Sequence, residues 1–97
     1  MIRSFADSGT EEIFNGKNTQ QARRTCPRAL WSIAVRKLDQ LDSVETVQEL
    51  RVPPGNRLER LSGKRKGQYS IRINEQYRIC FVWSDDGPLG VELVDYH

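Results

Sequence analysis

The chain has 97 residues, 37% of them apolar and 29% charged, with a formal net charge of +2. That length suits one domain over residues 1–97, with a single modest core. No run of 18 apolar residues offers a membrane span, no apolar leader follows Met1, and Cys26, Cys80 and one histidine are too few and too scattered for a zinc set. These features predict a cytoplasmic protein with no cofactor, no metal and no membrane contact, its cysteines reduced and Cys80 buried in an apolar run.

In chain order, Ile2–Phe5 reads as a short first strand. Asp7 or Ser8 then caps a brief helix through Phe14, with Glu11 and Glu12 in its early turns and Gly16 just past its end. The stretch from Asn15 to Thr25 is polar and without period, which predicts an exposed connection. Pro27 suits the first turn of the next helix. In that helix Leu30, Ile33, Ala34, Leu38 and Leu41 form an apolar stripe. Trp31 lies off the stripe, as core edge or as a partner contact. Asp42 or Ser43 is expected to start another short helix with Val44, Val47 and Leu50 on one side, and Val52-Pro53-Pro54-Gly55-Asn56 to end it.

From there the period changes to two. Arg57–Leu61 reads as a weak strand and Ser62–Gly67 as a basic turn. Tyr69, Ile71 and Ile73 alternate with Ser70 and Arg72; after an Asn74-Glu75 turn, Tyr77, Ile79, Phe81 and Trp83 alternate with Arg78 and Cys80. Asp85-Asp86-Gly87 turns again, and Val91–Tyr96 forms the last strand. Helices followed by a meander predict an α+β fold: a short N-terminal strand and helices packed on one face of a mainly antiparallel sheet. Arg72 and Arg78, out of phase with their apolar neighbours, are expected on the other face, so that replacing Arg78 should spare the fold.

Charge is concentrated where the alternation begins. Arg57, Arg60, Lys64, Arg65, Lys66, Arg72 and Arg78 face only Glu59 and Glu75 in that stretch, a local +5, while Lys17, Arg23, Arg24 and Arg28 form a second patch without acids. Clustered cations of this kind mark a polyanion partner, because binding phosphates releases condensed counterions. Metal-free RNA cleavage needs a group to orient or deprotonate a ribose 2′-hydroxyl, a proton for the departing 5′-oxygen and cations on the phosphate. Arg65, Arg78 and the Asp95-Tyr96-His97 segment supply these chemistries. Imidazole titrates near ~6.5 and so serves as acid or base around neutrality. The guanidinium fork can hold two phosphate oxygens. Tyr69 and Tyr77 read as packing residues rather than base platforms.

The run from Arg57 to Phe81, with Gly63-Lys-Arg-Lys-Gly67 and Asn74-Glu-Gln-Tyr-Arg-Ile-Cys-Phe81, followed by Val94-Asp-Tyr-His97, closely resembles the HigB branch of the RelE/ParE superfamily of toxins. Met1-Ile-Arg-Ser-Phe5 and the Pro53-Pro54-Gly55-Asn56 lead-in resemble the same family, so the likeness spans essentially the whole chain. The resemblance implies a RelE-like toxin fold and the toxin of a type II toxin–antitoxin system. It further implies a ribosome-dependent endoribonuclease that cuts A-site mRNA and inhibits translation and growth. Arg65, Arg78, Asp95, Tyr96 and His97 become candidate catalytic residues. The implied partners are the ribosome, contacted by Arg57, Arg60, Lys64, Lys66, Arg72, Lys17, Arg23 and Arg24, and a HigA-like helix-turn-helix antitoxin. Some relatives carry His or Lys before the basic loop where this chain offers Glu59 and Ser62, a departure that leaves the general base unassigned. Alternatives of other classes are a non-catalytic RNA- or ribosome-binding domain and a same-fold toxin acting on another target.

Overall fold

The computed structural model describes residues 1–96; His97, a candidate catalytic residue, lies outside the described residues. Helix α1 spans Ser8–Phe14, and its first turn is capped by Asp7, whose Oδ1 accepts from the Thr10 amide at 2.6 Å. The predicted open connection is instead interrupted by a second helix, α2 (Gln20–Thr25). Thr19 caps it, Oγ1 accepting from the Ala22 amide at 3.1 Å, and the Thr19 hydroxyl in turn donates to Glu12. Ala22 is the one buried residue of α2, so there was no stripe for periodicity to register. Gly9 permits the close approach of α1 to α2, because a Cβ there would run into Thr25 Oγ1.

Pro27 precedes a 3₁₀ turn at Arg28–Leu30 that feeds directly into α3 (Trp31–Ser43). Ala34, Leu38 and Leu41 are fully buried, as the stripe predicts, while Leu30 and Ile33 pack at its margin. Trp31 proves to be core edge, its indole N–H donating to the Cys26 carbonyl at 2.8 Å. No new helix starts at Asp42 or Ser43. Helix α3 runs on through Ser43, and Asp42 accepts from the Ile2 amide at 2.7 Å. The next element is a 3₁₀ segment at Val47–Arg51, where the Glu49 carboxylate accepts from the Glu45 and Thr46 amides at 2.8 Å each. After a turn at Pro54–Asn56, buried Asn56 ties the excursion down by donating to Gln40 Oε1 at 3.0 Å and to the Leu50 carbonyl at 3.1 Å.

Four strands follow: β1 (Glu59–Arg60), β2 (Tyr69–Arg72), β3 (Tyr77–Ser84) and β4 (Gly87–Asp95). They pair antiparallel in the order β1-β2-β3-β4. The basic turn between β1 and β2 contains a 3₁₀ segment, Gly63–Arg65. The last strand begins at Gly87, earlier than the apolar alternation from Val91 suggests, and its register against β3 shifts between Cys80 and Val82. The expected N-terminal strand is reduced to a single parallel bridge from Phe5 to Val91. Flanking bonds from the Arg3 amide to the Pro88 carbonyl (2.8 Å) and from the Ala6 amide to the Val91 carbonyl (2.9 Å) lay this segment along the outer edge of β4.

The helices cover one face of the sheet. Ile13, Ala34, Leu38 and Leu41 join Ile71, Ile79, Phe81, Val91 and Leu93 in one buried cluster. Truncating such a leucine to alanine typically costs about 2–5 kcal/mol, so this layer is what holds the opposite face in place. The sheet is also stitched to α1 by a buried bond from the Leu93 amide to Thr10 Oγ1 at 3.0 Å. Among the described residues no helix is long and apolar enough to cross a membrane.

Candidate functional site

Directly paired residues of antiparallel strands share a face. The pairs Glu59–Ser70, Ser70–Cys80 and Cys80–Glu92 therefore make one row on the face away from the helices, and Arg72, Arg78 and Val94 make the next. Arg72 and Arg78 thus lie on the face that their phase predicts. That face is not simply solvated, however, since Arg78 is only 9% exposed.

The Arg78 guanidinium is held on three sides. Nε donates to Ser70 Oγ at 2.7 Å, Nη2 donates to the Arg57 carbonyl at 2.7 Å, and Nη1 lies 3.9 Å from Glu59 Oε1. Arg57 supplies that carbonyl from a left-handed backbone conformation, φ +46°, which is uncommon for a side chain with a Cβ. The ring of Tyr96 lies 5.9 Å from the Arg78 guanidinium carbon, within cation–π range. Together Arg57, Glu59, Arg72, Asn74, Glu75, Arg78 and Tyr96 line an open pocket of about 490 Å³. Arg72 is 4.0 Å from Glu75, and its carbonyl accepts from Nζ of Lys37 on α3. Lys37 is buried, and burial, reinforced by Arg36, Arg72 and Arg78, lowers its pKa from the ordinary lysine value.

Arg65 sits beside this pocket without lining it. Its Nη1 donates to Glu92 Oε1 at 2.9 Å and to Gln68 Oε1 at 3.1 Å, and the bond to Glu92 raises its pKa further. Glu92 pairs with Cys80 on the face away from the helices, which places Arg65 along the same face. Asp95 takes the opposite phase. It pairs with Tyr77, and its Oδ2 accepts from Gln76 Nε2 at 3.0 Å. Of the five candidate catalytic residues, then, Arg78 and Tyr96 meet in the pocket, Arg65 stands next to it and Asp95 projects to the other side.

Of the residues assigned to RNA contact, Arg57 and Arg72 join the pocket. Lys64 and Lys66 are exposed on the turn before β2, and Arg60 lies over the Tyr69 ring at 5.7 Å. Lys17, Arg23 and Arg24 are exposed in the α1–α2 layer and do not line the pocket; Arg23 Nη1 donates to Asn18 Oδ1 at 2.7 Å. Sequence reasoning missed Ser70, Asn74, Glu75 and Glu92 as parts of this face. Ser70 was findable, being in phase with Arg72, but its partnership with Arg78 requires the β2–β3 register.

The cysteines offer no nucleophile. Cys26 and Cys80 are fully buried; burial pushes the Cys26 thiol up to about 11 and raises that of Cys80 despite the pull of Arg65 and Arg78. Among the described residues no three His, Cys, Asp or Glu side chains converge as a metal set. What the pocket does bring together is a rigid guanidinium, two further arginines, a phenol and two carboxylates, Glu59 and Glu75. That set can hold a phosphodiester and exchange protons beside it.

Comparisons with known proteins bear on the family and the fold. Residues 3–97 match the family model described as the RelE-like toxin of type II toxin–antitoxin system HigB. The chain is 38% identical over 93 residues to Toxin HigB-1 of Vibrio cholerae, covering 96% of this chain and 95% of that protein. It is also 40% identical over 60 residues to an uncharacterised Haemophilus influenzae protein, across 62% of this chain and 59% of the relative. Among solved structures, a chain of the YoeB–YefM complex from Staphylococcus aureus superposes with a TM-score of 0.51, covering 100% of this chain and 98% of that one. At 16% identity that likeness is one of fold. With a family model matched along nearly its whole length and a toxin relative aligned end to end, the chain belongs to the HigB-like, RelE-like toxins of type II toxin–antitoxin systems.

Proposed function

We propose that this toxin is a ribosome-dependent mRNA endoribonuclease of the cytoplasm, acting on mRNA in the A site and held inactive by a HigA-like helix-turn-helix antitoxin. The observation that carries the reading is Arg78: an almost buried guanidinium whose fork is fixed by Ser70 and Arg57 and faces Tyr96 and Glu59 across one pocket. A donor fixed in advance needs no reorganisation as charge builds on a phosphate, which is where electrostatic catalysis is strongest.

In the proposed reaction the ribose 2′-oxygen attacks the adjacent phosphorus and the bond from phosphorus to the 5′-oxygen breaks, leaving a 2′,3′-cyclic phosphate. Glu59, the pocket carboxylate beside Arg78, takes the 2′-hydroxyl proton; Glu75 also lines the pocket but pairs with Arg72, and Ser62 does not line it. Tyr96 orients the hydroxyl, Arg78 stabilises the pentacoordinate phosphate, and Arg65 binds the flanking backbone. His97 donates the proton to the departing 5′-oxygen. Arg57, Arg60, Arg72, Lys64 and Lys66, with Lys17, Arg23 and Arg24 on the helical side, grip ribosomal and messenger RNA phosphates.

Mapping mRNA ends after brief induction in growing cells tests this reading. Cuts within translated frames, in phase with codons and absent for Arg78→Ala, are expected. Growth arrest with intact mRNA would instead favour a non-catalytic ribosome binder.

A further inference from the structure

The pairing of β3 with β4 ends at Tyr77–Asp95, one residue short of Tyr96. Yet Tyr96, 38% exposed, is placed against Arg78. Beyond the last register pair a strand is free to rotate about its own axis unless something grips it. The β2–β3 turn provides two grips, both from Gln76. Its carbonyl accepts from the Tyr96 amide at 2.6 Å, and its side-chain Nε2 donates to Asp95 Oδ2 at 3.0 Å. Asp95 and Tyr96 project to opposite faces, so bonds to both fix the rotation of the strand as well as its position.

The turn itself is held rigid. Asn74 Oδ1 accepts from the Gln76 amide at 2.9 Å and the Tyr77 amide at 2.7 Å, and the Ile73 amide donates to the Tyr77 carbonyl at 3.0 Å. Two residues after Gln76 the chain carries Arg78 itself on β3, so one short segment bears on both walls of the site.

We infer that Gln76 is a positioning residue: it sets the rotation of the Asp95–Tyr96 segment so that the Tyr96 phenol faces Arg78. Gln76 lines no part of the pocket, and its effect on chemistry passes entirely through its neighbours. The catalytic consequence rests on the ribonuclease reading; the structural one does not.

The test uses the full chain as wild type, Gln76→Ala and Gln76→Glu. The Glu variant keeps size and reach but turns a carboxylate toward that of Asp95. The first measurement is amide hydrogen exchange at Tyr96, with Leu93 as internal reference. The Gln76 carbonyl that accepts from the Tyr96 amide remains in both variants. Exchange at Tyr96 is nevertheless expected about tenfold faster, with Leu93 unchanged, because losing the side-chain bond to Asp95 loosens the end of the strand. The second is single-turnover cleavage on programmed ribosomes. The rate constant is expected to fall about tenfold in both variants, with the half-saturating ribosome concentration unchanged, because misplacement costs rate rather than binding. Wild-type exchange at Tyr96 in either variant would overturn the inference. So would a wild-type rate in the Glu variant, which would reduce Gln76 to a filler of space. Should the wild-type toxin leave mRNA intact, the ribonuclease reading fails and the exchange result alone decides the role of Gln76.

Discussion

Arg78 on β3 reaches across to β2 and donates through Nε to Ser70 Oγ at 2.7 Å, in a site where Ser70 is fully buried and Arg78 is 9% exposed. This cation is a fixed part of the sheet face and not a surface side chain free to swing onto RNA. Its substitution therefore carries a structural cost that its phase alone did not suggest. Removing it strands the Ser70 hydroxyl and the Arg57 carbonyl, at about 1–3 kcal/mol for such a loss.

Arg78→Lys separates charge from geometry. A lysine keeps the cation but cannot donate to both Ser70 and Arg57 while facing a phosphate. Cleavage should fall on the order of 10²–10³. Ser70→Ala, which frees only Nε, should cost about tenfold with a smaller loss of stability. Thermal melts run beside single-turnover rates check both. A lysine variant with wild-type rate would show that charge alone suffices.

Lys64 and Lys66, exposed on the turn before β2, should act through phosphates. Ribosome binding is expected to weaken steeply with added salt, and replacing either lysine by glutamine should reduce the slope of log K against log salt by about 0.7–1. Binding measured across a salt series checks this. A variant with weaker binding but an unchanged slope would point to protein contacts instead.

Glu49 offers a pH signature remote from the site. Backbone N–H donors, Thr46 first and then Glu45, hold its carboxyl below the usual glutamate value. A folded-state value below the unfolded one, about 4.3, means that its stabilising contribution is full above that pH. The contribution is then lost as pH falls through the lower folded value. Glu49→Gln should therefore have a lower urea midpoint than wild type at neutral pH, and the difference should close on acidification. A gap independent of pH would contradict the assignment.

Thiol reagents should leave the folded toxin unlabelled at neutral pH, since Cys26 and Cys80 are both fully buried with raised thiol pKa values. Labelling should follow unfolding in denaturant. Fast labelling of Cys80 in native buffer would mean that the face between Arg65 and Arg78 opens.

The contrast between the two halves of the chain shows what periodicity can carry. Ile71, Ile79 and Phe81 alternate with Ser70, Arg78 and Cys80, and this pattern alone divides the sheet into a core face and a polar face. Helix α3 is legible for the same reason, through Ala34, Leu38 and Leu41. Helix α2 is held by the Thr19 cap and by contact with α1 across Gly9, neither of which has a period. The start of β4 was hidden because Pro88, Leu89 and Gly90 break the alternation just where the register shifts. Lys37 lies on the α3 helix yet is buried, which only its bond to the distant Arg72 carbonyl explains.

The pocket divides in the same way. That Arg78 and Tyr96 are candidates followed from residue types and from the family's motifs. That they face one another depends on the phase of β4, where Arg78 pairs with Val94 two residues before Tyr96. Contacts from afar, such as Glu92 on Arg65 and the Arg57 carbonyl on Arg78, depend on register and on one left-handed residue, and no local pattern announces them.

The central claim is that the pocket around Arg78 performs metal-independent cleavage of A-site mRNA. It is tested most directly by single-turnover reaction of purified toxin with ribosomes programmed with a defined mRNA, in the presence of a chelator that leaves the ribosomes assembled. The account predicts one cut in the A-site codon, an upstream fragment ending in a 2′,3′-cyclic phosphate, and a rate on the order of 10²–10³ lower for Arg78→Lys. Intact mRNA under these conditions, or a cut that survives Arg78→Lys at full rate, would contradict it.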